Sequence, residues 1–261
     1  MRRLVVNADD FGFTHDVNQG IVQAHREGIL TAATLMATGA AFDDAVRLAR
    51  ENPALDIGVH LVLVGEPPFP RTVAQLMRAL ALRRIRVHEE LLSQVRRVLD
   101  AGLRPTHLDT HKHTHLLPPV LDAVARVSAE CGIPWVRRPF DFWSPFEGVP
   151  WTTRGASMAL GVVRSRFSHL LAKYACRFTD HFTGFQITGR YTAAQLVSLI
   201  HALPEGSTEF MCHPGICGDE LRAARTRLKD SRQQELGALT SPEVRASLAE
   251  AGVQLVSYRE L

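Results

Sequence analysis

The chain has 261 residues, is 46% hydrophobic and carries a formal charge of +3 at pH 7. That is enough apolar material for a sizeable core, and it excludes a disordered chain. No dense Lys/Arg run marks a nucleic-acid surface, the four cysteines (Cys131, Cys176, Cys212 and Cys217) form no CxxC pair, and no apolar run approaches the roughly 18 residues of a membrane span.

In chain order, short apolar or β-branched runs alternate with longer helical patterns: 4–6 then 17–28, 33–36 then 42–50, and 57–64 then 73–82 and 89–101. The rhythm continues with 106–110, a helix over 120–131, the run 134–136, a helix over 193–203, the run 210–212, a helix over 242–251 and a last run 253–257. A βα alternation of this length predicts an α/β fold, a closed (β/α) barrel of about seven parallel strands in a single domain 1–261. A doubly wound open sheet is the alternative. Glycines at turns such as Gly102, Gly132 and Gly252 fit helix stops before new strands.

One region, about 140–189, breaks the rhythm. It holds "PFDFWSPFEGVPW", with Trp143 and Trp151, then the long pattern "MALGVVRSRFSHLLAKYACRF" with Arg164, Arg166, Lys173 and Arg177 interleaved. A helix there is amphipathic and basic, which suits packing on the barrel or contact with a lipid surface. Arg2 and Arg3 precede only three strongly apolar residues, too few for a signal-peptide core, so a cytoplasmic location is expected, with peripheral contact at the inner membrane face left open.

Polar clusters stand where apolar runs end: Asp9 and Asp10 after "LVVNA", His60 in "DIGVH", the series His107, Asp109, His111, His113 and His115 in "THLDTHKHTH", and His213 in "EFMCHPG". In a parallel (β/α) fold these strand ends share one rim and can converge. Adjacent carboxylates at a strand end become tolerable when a cation offsets their repulsion and desolvation. Imidazole and carboxylate are donors for a catalytic divalent ion, which takes three protein groups plus water. The alternation in "THLDTHKHTH" predicts that an extended chain aims these side chains at one face, with at least one histidine as a ligand. Asp43 and Asp44, at the start of a helical pattern, suit the helix dipole instead. No GxxxxGK[ST], GxSxG or GxGxxG motif is present.

With these residues in view, the chain resembles the YdjC-like carbohydrate deacetylases, which include chitooligosaccharide deacetylase. "VNADDFG", "GVHLVL", "PTHLDTHKHTHLLP" and "EFMCHPG" carry the resemblance over most of the chain. It implies a distorted (β/α) barrel in which Asp10, His60 and His111 ligate a divalent metal at the strand ends (zinc or magnesium first, manganese or cobalt next), with Asp9 as general base and His213 as general acid. The stretch "DHFTGFQITGRYT" is similar to the branch associated with hopanoid biosynthesis. The implied substrate is an N-acetylglucosamine-type sugar, lipid-linked as the head of a hopanoid or soluble as a chitooligosaccharide; no nucleic-acid partner is expected, and a homodimer is left open. Two rivals remain: an iron oxygenase using the same two-histidine, one-carboxylate set, and a non-enzymatic lipid-binding protein with a structural metal.

Overall fold

The computed structural model describes residues 1–142, 155 and 163–261. β1 (Arg2–Phe11) is the longest of the described strands and pairs along both edges. One edge pairs in parallel with β7 (Gly206–Cys212) from Arg2 to Ala8. The other takes β8 (Val253–Leu255) at Arg2 to Leu4 and β2 (Ala32–Leu35) from Asn7 onward. β3 (Asp56–Leu61), β4 (His107–Thr110) and β5 (Trp135–Val136) follow on the β2 side, and β6 (His181–Thr183) lies beyond β7, every pairing parallel. The order in space is therefore β5-β4-β3-β2-β1-β7-β6. The two ends of this path meet through isolated bridges, Trp135 with Arg177 and Asp141 with Phe182. The Val136 N–H donates to the Arg177 carbonyl at 2.8 Å and the Phe142 N–H to that of Phe182 at 3.0 Å. The result is the expected distorted barrel of seven strands, with β8 wedged beside β1 as an eighth.

Helices clothe the outside. α1 (His15–Glu27) is capped by the Thr14 hydroxyl, α2 is Phe42–Glu51, α3 Val73–Ala81 and α4 Val87–Asp100. Asp43 and Asp44 fall in the first turn of α2, where the dipole favours carboxylates. α5 (Pro118–Cys131) starts on two prolines and stops at Gly132 in the left-handed region. α6 (Arg164–Lys173), α7 (Ala193–His201, opened by a Thr192/Gln195 capping box), α8 (Asp219–Ala223), α9 (Asp230–Leu239) and α10 (Pro242–Glu250) complete the shell.

Alternation along the strands separates two environments. Leu4, Val6 and Ala8 of β1 face the helices in the main core, whereas Val5 joins Trp135, Val256 and Tyr258 in a small apolar layer inside the barrel. Above that layer the interior turns polar: Asn7, Asp9, His107, Asp109, Arg137 and Glu209 are all buried. Gly58 on β3 makes room for this filling, since a Cβ there would stand 2.5 Å from the His107 ring.

In the unusual region, α6 buries Phe167 and Leu171, and the Phe167 ring meets those of Phe140 at 5.2 Å and His115 at 5.6 Å. Arg164 and Arg166 are exposed. This described part of the insert thus turns its apolar face to the barrel. Segments 143–154 and 156–162, with Trp143, Trp151 and the start of the long pattern, lie outside the described residues. Among the described residues, no helix is long and apolar enough to cross a membrane.

Candidate metal centre and active site

The strand ends carry their polar residues to one rim. Asp10 adopts a left-handed conformation, φ 68°, tolerable for Asp, at the end of β1. Its Oδ1 lies 3.4 Å from His60 Nε2 on β3 and 3.2 Å from His111 Nδ1 after β4; the two ring nitrogens are 3.3 Å apart. These three atoms form a nearly equilateral triangle. Donors about 2.0–2.1 Å from a tetrahedral ion are separated by roughly 3.3–3.4 Å, so the spacing fits one small divalent cation. Asp10 Oδ1 is also buried without a hydrogen-bond partner, an orphan that such an ion would satisfy. Its other oxygen accepts from the Arg232 guanidinium.

Charge around the triangle points the same way. Burial would raise the Asp10 carboxyl, yet Arg232 and the two imidazoles hold it well below the usual carboxylate range. Burial likewise opposes charge on His60, but the carboxylates of Asp109, Asp9 and Asp10 outweigh it and push the imidazole up to about 10. The pocket therefore demands a positive charge at His60, a proton or the cation that displaces it. Asp109 Oδ1 contacts His60 Nδ1 at 2.6 Å and Thr34 donates to Asp109 Oδ2 at 3.1 Å, which leaves Nε2 of His60 for the rim. That outer contact sets the ring orientation and tautomer of a ligating histidine.

Asp9, one residue before Asp10, is held differently. The fully buried Arg137, just past β5, donates to both its oxygens at 2.8 and 2.6 Å. The same guanidinium reaches Asp109 Oδ2 at 2.7 Å and Glu209 Oε1 at 2.7 Å. Burial works against ionisation of Asp9, but Arg137, His60 and His213 hold its carboxyl far below the usual range. His213 Nε2 stands 3.8 Å from Asp9 Oδ2, and burial pushes its imidazole down to about 4. Glu235 of α9 fixes the backbone here, accepting from the N–H groups of His213 and Gly189, both at 2.6 Å, and from the Tyr191 hydroxyl at 3.1 Å.

Asp9, Asp10, His60, His111 and His213 thus line one open cavity of about 1250 Å³, together with Phe13, Phe69 and Phe185. Of the rest of the histidine series, His113 also lines this cavity whereas His107 and His115 are not among its lining residues, so the expectation of one shared face is corrected. β4 ends at Thr110 and a 3-10 turn follows (His111–Leu116), with Lys112 and His113 at φ 55° and 50°. An extended continuation would aim His111, His113 and His115 at one face; the turn redirects them, while the His113 and His115 rings stay 6.2 Å apart. His115 is buried against Thr110 Oγ1 and 3.1 Å from the Arg137 carbonyl, and His113 packs its ring on Phe182 and Phe185. His107 contacts Asn7 Oδ1 at 2.8 Å and stacks on Tyr258. Burial keeps these three rings neutral by pushing all of them down.

Arg137, Glu209, Arg232 and Glu235 were not among the candidates read from the sequence. Arg137 carries the same signal as the others, a polar residue directly after the apolar pair Trp135-Val136; the two α9 residues, Arg232 and Glu235, sit in a polar stretch with no such mark.

A barrel of parallel strands whose C-terminal rim gathers two histidines and a carboxylate at ligand spacing defines a class of α/β proteins with a candidate metal centre. The chain belongs to the YdjC-like protein family, which it matches over residues 3–250. It is 34% identical to a carbohydrate deacetylase of Geobacillus stearothermophilus, over 99% of this chain and 98% of that protein. It is 33% identical to another of Brevibacillus brevis, over 99% of each. Among solved structures, a protein of Enterococcus faecalis V583 whose suggested role is cellobiose-phosphate cleavage superposes with a TM-score of 0.78 over 99% of this chain and 98% of that one, at 24% identity. That likeness speaks for the fold.

Proposed function

We propose that this protein is a metal-dependent hydrolase that removes the acetyl group from an N-acetylglucosamine-type sugar. The observation that carries the reading is the triangle of Asp10 Oδ1, His60 Nε2 and His111 Nδ1 in a cavity that also presents Asp9 and His213. Two relatives matching nearly end to end and named carbohydrate deacetylases supply the substrate class. Asp10, His60 and His111 would hold the ion, and two imidazoles with one carboxylate suit zinc better than magnesium. When bound, such an ion supplies Lewis acidity to an acetamide carbonyl and acidifies water.

The chain's own groups do the proton work. Asp9 Oδ2 accepts the proton of the attacking water as the water oxygen bonds to the acetyl carbon. Arg137 keeps Asp9 ionised at every working pH but also lowers its proton affinity, so the proton has reason to move on. His213 Nε2, 3.8 Å from that oxygen and neutral at rest, can take it and deliver it to the sugar nitrogen as the C–N bond breaks. Acetate and a free amino sugar leave. The finer reading, a hopanoid-linked sugar head, rests on the likeness carried by "DHFTGFQITGRYT" and on Phe13, Phe69 and Phe185 beside the donors.

The test is acetate release from N-acetylglucosamine oligomers and from an N-acetylglucosaminyl lipid, with and without chelator. Release that chelator abolishes and zinc restores is the expected result, with the lipid preferred. Release from neither substrate would overturn the deacetylase reading, and preference for the oligomers would overturn the lipid one.

A further inference from the structure

α3 and the turn after it carry a surface that the site does not explain. Between residues 67 and 88 the chain has no Asp or Glu, while Arg71, Arg78, Arg83, Arg84 and Arg86 all lie there, every one exposed. Only Arg86 makes an ion pair among the described residues, with Glu89. α3 is apolar around most of its circumference. Leu76 is buried and Val73 and Leu80 pack on the core, yet Met77 is 54% exposed and Leu82 50%, with Ala74 and Ala81 exposed near them. An isolated exposed apolar side chain is ordinary; two large ones set among Arg71, Arg78, Arg83 and Arg84, in a stretch with no acid of its own, are a pattern. The patch also adjoins the cavity, because Gly65, Glu66, Pro67, Pro68 and Phe69, which line it, run directly into α3.

We propose that the α3 face is a docking surface for an anionic lipid bilayer, lying on the membrane with Met77 and Leu82 at the acyl boundary and the arginines among headgroups. Charge complementarity selects the occupant: guanidinium groups meet anionic phosphates, and the apolar side chains need a non-aqueous layer that a nucleic acid does not offer. The surface differs from the one the sequence suggested, since the described part of the insert, α6, turns its apolar side chains inward. Docking here would hold the cavity mouth near the membrane whatever substrate the site accepts.

Co-sedimentation of the full chain with vesicles tests this. Binding is expected to phosphatidylglycerol vesicles and not to phosphatidylcholine ones, and to weaken as salt rises. Each arginine near an anionic surface contributes roughly fivefold, so Arg78→Gln/Arg83→Gln/Arg84→Gln should weaken binding about 100-fold. Met77→Ser/Leu82→Ser, which leaves the charge intact, should also weaken it. Turnover of a soluble substrate and thermal unfolding should be unchanged in both variants, which separates this proposal from the catalytic one. Failure to sediment with phosphatidylglycerol, or sedimentation undiminished in the triple variant, would overturn it. So would retention on heparin without retention on vesicles, which would assign the arginines to a polyanionic macromolecule.

Discussion

The barrel divides into two arcs that serve its rim differently. From β1 to β4 each strand pairs with the next, with one register shift in the β1–β2 pair between Ala8 and Phe11, and this arc supplies all three candidate ligands, Asp10, His60 and His111, with Thr34 and Asp109 behind them. From β5 to β7 the two strands at the seam are two and three residues long and are joined by isolated bridges. This arc supplies Arg137, Glu209 and His213, which set the charge around Asp9, with His213 on the proposed proton route. Ligand atoms must be held to within tenths of an ångström; Asp10, in the register shift of β1, is fixed by Arg232, and His60 on β3 by Asp109. A guanidinium with five donors tolerates a looser frame, because it is fixed by the carboxylates it bridges. Arg137 therefore ties the site to the closure of the barrel, whereas the ligands could be altered without touching the seam.

Removing a candidate ligand gives the largest effect expected from this contrast. His111 is partly exposed at the rim, so His111→Ala should leave the fold intact while metal content and acetate release fall together to background. A fully metallated, active variant would remove His111 from the ligand set. Next comes the bridge between the arcs. Asp9→Asn should keep the metal but reduce turnover about 10²–10⁴-fold, the range for losing a general base. It also turns one Arg137 contact from acceptor to donor, so metal content and unfolding should be measured beside turnover. Near-normal turnover would exclude Asp9 as the base.

The two arcs were not equally legible in the sequence. Asp9, Asp10, His60 and His213 stand out because a chargeable residue directly after an apolar run is costly unless it has a task. Those four converge in one cavity, as strand-end logic predicts. The choice among His111, His113 and His115 was not legible from the residues themselves. It depends on two consecutive left-handed residues, Lys112 and His113, and on tertiary contacts such as Thr110 with His115. Period-two reasoning assumes a strand, and the strand had already ended. β6 is too short to leave a pattern, and α8 and α9 are too polar to show an apolar stripe, so α9 hid both Arg232 and Glu235.

Smaller effects sharpen the contrast. Asp109 is not among the residues lining the cavity, yet it orients His60 from behind. Asp109→Asn should lower metal affinity about 10- to 100-fold, as changes to an outer contact of a metal histidine do. Saturating metal should restore much of the turnover, and titration of metal against activity checks it. A loss that excess metal leaves unchanged would mean that Asp109 acts on the reaction rather than on the ligand.

The smallest effect lies at the seam, away from the donors. Asp141 Oδ1 accepts from the Phe185 N–H at 3.2 Å and Oδ2 from the Gln186 N–H at 2.9 Å, holding the loop that brings Phe185 to the cavity. Burial pushes this carboxyl up to about 7 although backbone N–H groups favour its ionised form. Its folded value thus lies above the ordinary 3.8, so between those values the folded chain binds more protons than the unfolded one. Stability from this group is greatest at low pH and falls as pH rises through that window, with the loss complete above about 7. Asp141→Asn does not titrate, so its own stability should lose less than the wild type between about pH 5 and pH 8, by on the order of 2 kcal/mol. Loss of one of the two backbone contacts lowers the variant at every pH, which makes the difference in slope the measurement, read by urea unfolding at the two pH values. Equal slopes would mean that Asp141 is ionised in the folded chain and that the seam loop is held by a charge instead of a neutral acid.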